Sequence, residues 1–260
     1  MSLALRIGLS LLARPDRHRL GADRSQVADL HLPRGDGPHP VAVLLHGGYW
    51  QTAYGKLVCR PLARDLARRG FAVWNLEYRR LGTGRGGGGG WPQTFEDVAR
   101  GIDALADVAA PLDLSRVVLV GHSAGGQLAL WAASRPRLPS GAVGGAPRVV
   151  ASRVVALAPV ADLARAGVHA EQLLGGTLAE RPDRWAQADP LRAGAPGIPV
   201  LVVHPTLDAT VSVERSRAYA AATGAEFVET AGEHHDPIYP SSEAWAAALA
   251  WLGPAQLATR

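Results

Sequence analysis

Gly121-His122-Ser123-Ala124-Gly125 is a G-x-S-x-G run set between a β-branched strand pattern, Val117–Val120, and a helical one, Gly126–Ser134. In that setting the serine sits on a tight strand-to-helix turn, and the flanking glycines remove side chains that would clash there. The turn exposes the hydroxyl at a helix N-terminus, where the positive dipole favours developing negative charge. Such a serine can attack a carbonyl carbon if a base takes its proton and a carboxylate orients the base. Both partners follow in the order Asp, then His. Asp208 closes His204-Pro205-Thr206-Leu207-Asp208, just past the apolar run Val200–Val203. His234 lies in Gly232-Glu233-His234-His235-Asp236, just past Phe227–Thr230. Asp162 and His235 are rivals for these roles. Asp162 reads as a turn or cap residue, and His235, next in the chain, is expected to point elsewhere.

A nucleophile of this kind also needs donors for the oxyanion. His46-Gly47-Gly48-Tyr49-Trp50 directly follows the run Val41–Leu45. Backbone that must lie against a carbonyl favours glycine, so the N–H of Gly47 or Gly48 is one expected donor. The N–H of Ala124, beside the nucleophile, is the other. His46 is expected to brace this loop. Trp50, Trp91 and Trp185 are the candidates for walls of an aromatic or acyl pocket, whereas Trp74 and Trp131 read as core.

Ser123, Asp208 and His234 meet only if the strands before them end side by side. Short β-branched runs alternate with longer helical patterns, the signature of an α/β chain with a mostly parallel central sheet and helices on both faces. Continuous apolar runs at Val41–Leu45, Phe71–Leu76, Val117–Val120, Val154–Ala158 and Val200–Val203 suit strands covered on both sides, and Phe227–Thr230 suits a last one. Gln26–Leu32 alternates polar and apolar and predicts an antiparallel edge strand. Helices are expected over Lys56–Arg69, Phe95–Ala110, Gly126–Ser134, Val213–Thr223 and Ser242–Leu252. Gly82–Gly90 predicts a flexible loop with nothing to pack. Residues 161–199 read as a short insertion, in place of a full lid, within one domain spanning 1–260.

Of the 260 residues, 47% are hydrophobic and 19% charged, values of a globular chain. Gly 30 and Pro 19 imply many loops on an ordered scaffold. The net charge is +4, and Lys56 is the single lysine. The arginines are scattered, and their densest group, Arg14, Arg17, Arg19 and Arg24, has no aromatic interleaving, so no nucleic-acid partner is expected. The lone Cys59 permits no intramolecular disulfide and reads as a small helical residue. No apolar run is long enough to cross a membrane. Met1–Ala13 is interrupted by Arg6, and the remaining Ile7–Ala13 is short for a signal core with no A-x-A site, so a cytoplasmic protein is expected. His18, His31, His39, His122, His169 and His204 show no metal-ligand spacing. The glycines at 86–90 lack the Lys-Ser/Thr of a phosphate loop. Neither metal nor cofactor is expected.

HGGYW at 46–50, GHSAGGQLA at 121–129, the H-x-T-x-D pattern at 204–208, EHHD at 233–236 and LGADRSQVADLHLP at 20–33 together resemble the α/β-hydrolase fold, serine esterase branch. Within it, bacterial arylformamidase-like and lidless carboxylesterase-like proteins are the most similar. The chain departs from their pattern at Pro205, where glycine is usual, at His235, where an aromatic often follows the histidine, and at Leu20-Gly21 in place of Tyr-Gly. The resemblance implies hydrolysis of a small carboxylic ester or amide through an acyl-enzyme, with Ser123, His234 and Asp208 as triad. Arylformamidase activity on an amide of the N-formylkynurenine type is the alternative. Two others are an acyltransferase using the same residues and a non-catalytic ligand-binding relative, against which the presence of all three residues speaks. The expected partner is a small molecule, and the chain is expected to be a monomer or a homodimer.

Overall fold

Strands built from continuous apolar runs have no polar face to give to water, so helices must cover both sides of their sheet. The computed structural model, which describes residues 15–139 and 141–255, has this arrangement. The reading of Met1–Ala13 and Arg14 falls outside the described residues. Eight strands form one sheet: β1 (Asp16–Arg19), β2 (Val27–His31), β3 (His39–Leu45), β4 (Ala72–Leu76), β5 (Leu112–His122), β6 (Arg153–Leu157), β7 (Val200–Pro205) and β8 (Glu226–Thr230). Their spatial order is β1-β2-β4-β3-β5-β6-β7-β8. The β1–β2 and β2–β4 pairs are antiparallel and the rest are parallel.

Alternation along each strand splits the core in two. Val41, Val43 and Leu45 of β3 join one cluster, with Phe95 and Ile102 of α2 (Gln93–Asp103) and Leu128 and Trp131 of α3 (Ala124–Ala133). Ala42 and Leu44 join the other, with Leu62 and Leu66 of α1 (Arg60–Arg68) and Trp245 and Ala248 of α8 (Glu243–Leu252). Between β6 and β7 the insertion folds as α4 (Val168–Leu174), α5 (Pro182–Ala188) and α6 (Pro190–Ala193), and α7 (Val213–Thr223) joins β7 to β8. Local signals set several ends: the Ser242 hydroxyl accepts from Trp245 N–H at the start of α8, and Gly224 ends α7 in a left-handed conformation.

Four expectations need correction. β2 is not an edge strand: the arginine-rich β1 covers it, and β2 is buried along its whole length. Its alternation misled because Asp29 is polar yet internally satisfied, by Arg17 at 3.0 Å and by the Lys56 ammonium. β5 starts at Leu112, five residues early, since Asp113, Ser115 and Arg116 hid its first half. α2 runs from Gln93 to Asp103 and tightens into a 3-10 turn, Ala104–Asp107, instead of filling 95–110. The glycine run is packed: Arg80 N–H donates to Gly86 O at 2.8 Å, and Gly89 N–H donates to Arg80 O at 2.7 Å. Cys59 is buried in the 3-10 turn before α1, and burial pushes its thiol up to about 12.

Candidate active site

β5 ends at His122, and α3 begins at Ala124. Ser123 between them has φ 56 and ψ −119, the strained turn that the flanking residues implied. Gly125 permits it, since a Cβ there would strike the carbonyls of Leu45, at the end of β3, and of His46, just past it. Ser123 is 2% exposed, so its hydroxyl answers to what the fold places around it. Ser123 O–H donates to His234 Nε2 at 3.0 Å, and His234 Nδ1–H donates to Asp208 Oδ2 at 2.6 Å. The three residues predicted from separate loops are thus one hydrogen-bonded chain, with Asp162 apart from it, paired to Arg165.

Asp208 is held by more than the histidine. Its Oδ1 accepts from the N–H groups of Thr210 and Val211, each at 2.8 Å. His204 Nε2 lies 3.1 Å from Oδ2 and also donates to Val211 O at 2.9 Å, while Ser216 O–H donates to His204 Nδ1 at 2.7 Å. Burial alone would raise the Asp208 carboxyl, but hydrogen bonds from His204, His234 and Val211 outweigh it and hold the group well below the usual range. Pro205 leaves this loop able to place the carboxylate. His204 was counted among the scattered histidines; its position at the head of the H-x-T-x-D pattern was the signal to use.

His234 is anchored from the β5 side as well. His122 Nε2–H donates to His234 O at 2.7 Å. Burial first, and His234 second, bring the His122 imidazole down to about 3, so its ring is neutral. His235 does not point away as expected: it walls the cavity beside His234, and burial followed by His234 lowers its ring. His122, His234 and His235 each offer a nitrogen within 4.8 Å of one another, a spacing that could hold a metal ion. Both His234 nitrogens are committed to Ser123 and Asp208, so an ion there would compete with the serine.

The His46-Gly47-Gly48 loop packs against Ser123. A Cβ on Gly47 would sit 2.8 Å from His122 O and 3.0 Å from Ser123 Cβ, and Gly48 takes φ 115. Ala124 is the first residue of α3, so the helix leaves its N–H unpaired. Gly47 thus lies against Ser123, and Ala124 follows Ser123 at the start of α3. Next to Ser123 lies a cavity of about 200 Å³, walled by Tyr49, Tyr54, Val58, Thr210 and Ile238.

None of the three candidate tryptophans lines that cavity. Trp50 is fully buried, with its indole N–H donating to Gln127 Oε1 at 3.1 Å. Trp91 packs on Phe95 at 4.9 Å. Trp185 is 3% exposed and donates to Gly176 O at 3.1 Å. A buried indole needs an acceptor for its N–H, and the acceptors of Trp50 and Trp185 lie in the protein, outside the cavity lining. The insertion supplies no wall either; it touches Tyr49 through the His169 ring at 4.7 Å. The aromatic walls are Tyr49 and Tyr54, which sequence reasoning missed.

The BD-FAE family model matches residues 28–222. No curated protein matches the sequence. Solved structures do resemble it. A bifunctional GH43-CE protein of Bacteroides eggerthii is 23% identical, with a TM-score of 0.73, over 91% of this chain and 37% of that one. This chain therefore spans little more than a third of that protein. Est2, an esterase of the Planctomycetes species Thermogutta terrifontis solved with butyrate, is 20% identical over 91% of both chains, with a TM-score of 0.73. Esterase B of Lactobacillus rhamnosis, solved with a C4-C4 tributyrin phosphonate, is 22% identical over 92% of this chain and 86% of that one, with a TM-score of 0.71. The likeness is one of fold, and the fold is that of the α/β-hydrolases.

Proposed function

The chain belongs to the BD-FAE family, and from that premise we propose that it is a serine hydrolase of small carboxylic esters. The observation that carries this reading is the unbroken hydrogen-bonded chain from Ser123 through His234 to Asp208, with Gly47 and Gly48 lining the same cavity and Ala124 opening the helix beside Ser123. Ser123 Oγ attacks the ester carbonyl while its proton passes to His234 Nε2. Asp208 keeps the other ring proton on Nδ1 and stabilises the imidazolium. Backbone N–H groups of the glycine loop and of Ala124 receive the oxyanion. His234 then hands its proton to the leaving alcohol oxygen, which leaves an acyl-enzyme. Water, deprotonated by His234, attacks the acyl carbon and releases the acid and free Ser123.

The small cavity supports a short acyl group, as do the butyrate and the C4 phosphonate bound to two structural relatives. The purified protein is assayed on 4-nitrophenyl acetate and on N-formylkynurenine, with Ser123→Ala as blank. We expect ester turnover, and a loss of at least ~10⁴-fold in the variant. A variant as active as the wild type overturns the serine mechanism. Faster turnover of the formamide would make the protein an arylformamidase, and an ester product on adding a second alcohol would make it an acyltransferase.

A further inference from the structure

A buried charged relay stands behind the glycine loop, and the chemistry above does not use it. His46 is fully buried, and both of its ring nitrogens face acceptors: Nδ1 lies 2.8 Å from Gly47 O and Nε2 lies 2.8 Å from Glu77 Oε1. A carbonyl oxygen has no proton to give, so Nδ1 carries hydrogen. Glu77 is an ionised carboxylate: burial raises its pKa, but the His46 ring and Arg80 more than offset this and lower it. Each ring nitrogen of His46 thus faces an oxygen, an arrangement that hydrogen on both nitrogens would satisfy. Tyr78 stacks on the ring at 4.3 Å and donates its hydroxyl to His46 O at 2.6 Å.

The carbonyl of Gly47 and the N–H of Gly48 belong to one peptide unit. That bond is trans, because the cis bonds are Gly37–Pro38 and Trp91–Pro92. In a trans peptide the N–H points opposite to the C=O. With the Gly47 carbonyl turned inward onto His46 Nδ1, the Gly48 N–H faces the other way, toward the cavity that Gly48 lines. A cation on the carbonyl oxygen also draws electrons along the amide and strengthens that N–H as a donor.

Glu77 is itself fixed. Its Oε2 accepts from Lys56 N–H at 3.1 Å, and Arg80 Nη1 approaches Oε1 at 3.4 Å while donating to Tyr54 O. The glycine run wraps this guanidinium. Gly86 has φ +88, and a Cβ there would strike Arg80 Nη2. That is a reason for glycines at 82–90 that a flexible loop would not supply.

We propose that Glu77, buttressed by Arg80 and the glycine run, is a positioning residue that keeps His46 doubly protonated and so orients and strengthens the Gly48 N–H as oxyanion donor. The inference rests on the serine-esterase reading for its kinetic consequence, but the charge of His46 can be read without any turnover.

The test pairs two measurements. In ¹⁵N-histidine NMR of the wild type, with His46 assigned by its loss in His46→Gln, both ring nitrogens should carry hydrogen. In Glu77→Gln one should lose it. With 4-nitrophenyl acetate, Glu77→Gln should lower kcat by roughly 10-fold, less than deletion of a whole donor, with KM within about two-fold of wild type. Glu77→Asp should recover part of the loss. Gly86→Ala, which displaces Arg80 and leaves Glu77 in place, should shift kcat in the same direction and covers the case of a Glu77 variant that does not fold. An unprotonated nitrogen on His46 in the wild type overturns the proposal, as does a wild-type kcat in both Glu77→Gln and Gly86→Ala. Full activity in Ser123→Ala would instead remove the esterase reading and leave the NMR result standing.

Discussion

The reactive side chains are each restrained by several partners, so single changes should act through proton placement. Asp208 is the clearest case. In Asp208→Asn the amide oxygen can still accept from Thr210 and Val211, but its NH₂ would then face the N–H groups of His234 and His204, donor against donor. His234 relieves this by moving its proton to Nε2, where it cannot accept from Ser123. We expect kcat to fall by about 10⁴ with KM little changed. A loss smaller than ten-fold would mean that Asp208 does not set the tautomer. The wild-type carboxylate also has a folded pKa below its unfolded one. Its stabilising effect is therefore complete at neutral pH and is lost as pH falls from the unfolded carboxylate value through the folded one.

The elements around the site bring their own titrations. Asp189 caps α6, with Oδ1 accepting from Leu191 N–H at 3.2 Å and from Leu163 N–H at 3.3 Å. Its Oδ2 is buried without a hydrogen bond, and Arg192 Nε is 3.5 Å away. Burial raises this carboxyl to about 6, and the Asp162 charge adds to the rise despite the Leu163 N–H. The folded state thus holds its proton to higher pH than the unfolded chain does. Stability falls as pH climbs from the unfolded carboxylate value to about 6, and it stays reduced above that. Asp189→Asn keeps an oxygen for the cap and removes the buried charge. We expect its Tm to exceed that of the wild type at about pH 8 and to match it at about pH 4. A Tm gain of equal size at both pH values would assign the effect to packing and not to the charge.

For the whole molecule, the sheet order brings the ends of β3, β5, β7 and β8 together and leaves a small cavity there. On the proposed esterase reading, its volume of about 200 Å³ and its walls, Tyr54, Val58 and Ile238, set the acyl group that fits. Rates on 4-nitrophenyl esters should be highest for two to four acyl carbons and drop steeply by about eight, since each methylene that finds no pocket forgoes about 0.8 kcal/mol of transfer energy. Val58→Ala should extend the range. Equal kcat/KM for acetate and octanoate would mean that the acyl chain lies outside this cavity.

The fold class and the three residues of the hydrogen-bonded chain were legible in the residues alone. Both rest on local physics: apolar runs that can only be buried strands, a serine turn that only glycine neighbours allow, and a chain order that puts Asp208 and His234 just beyond strand ends. The tertiary structure decided what depends on partners distant in sequence. Asp29 is a buried residue because Arg17 and Lys56 reach it, so β2 lies inside the sheet. Trp50 is core because Gln127 accepts its N–H. His204 became part of the acid's surroundings, and Glu77 and Arg80 part of the loop's support, only when β4 was laid beside β3 and α7 against β7. Hydrogen bonds between residues far apart in the chain have no periodicity or spacing to betray them, whereas strands and turns do.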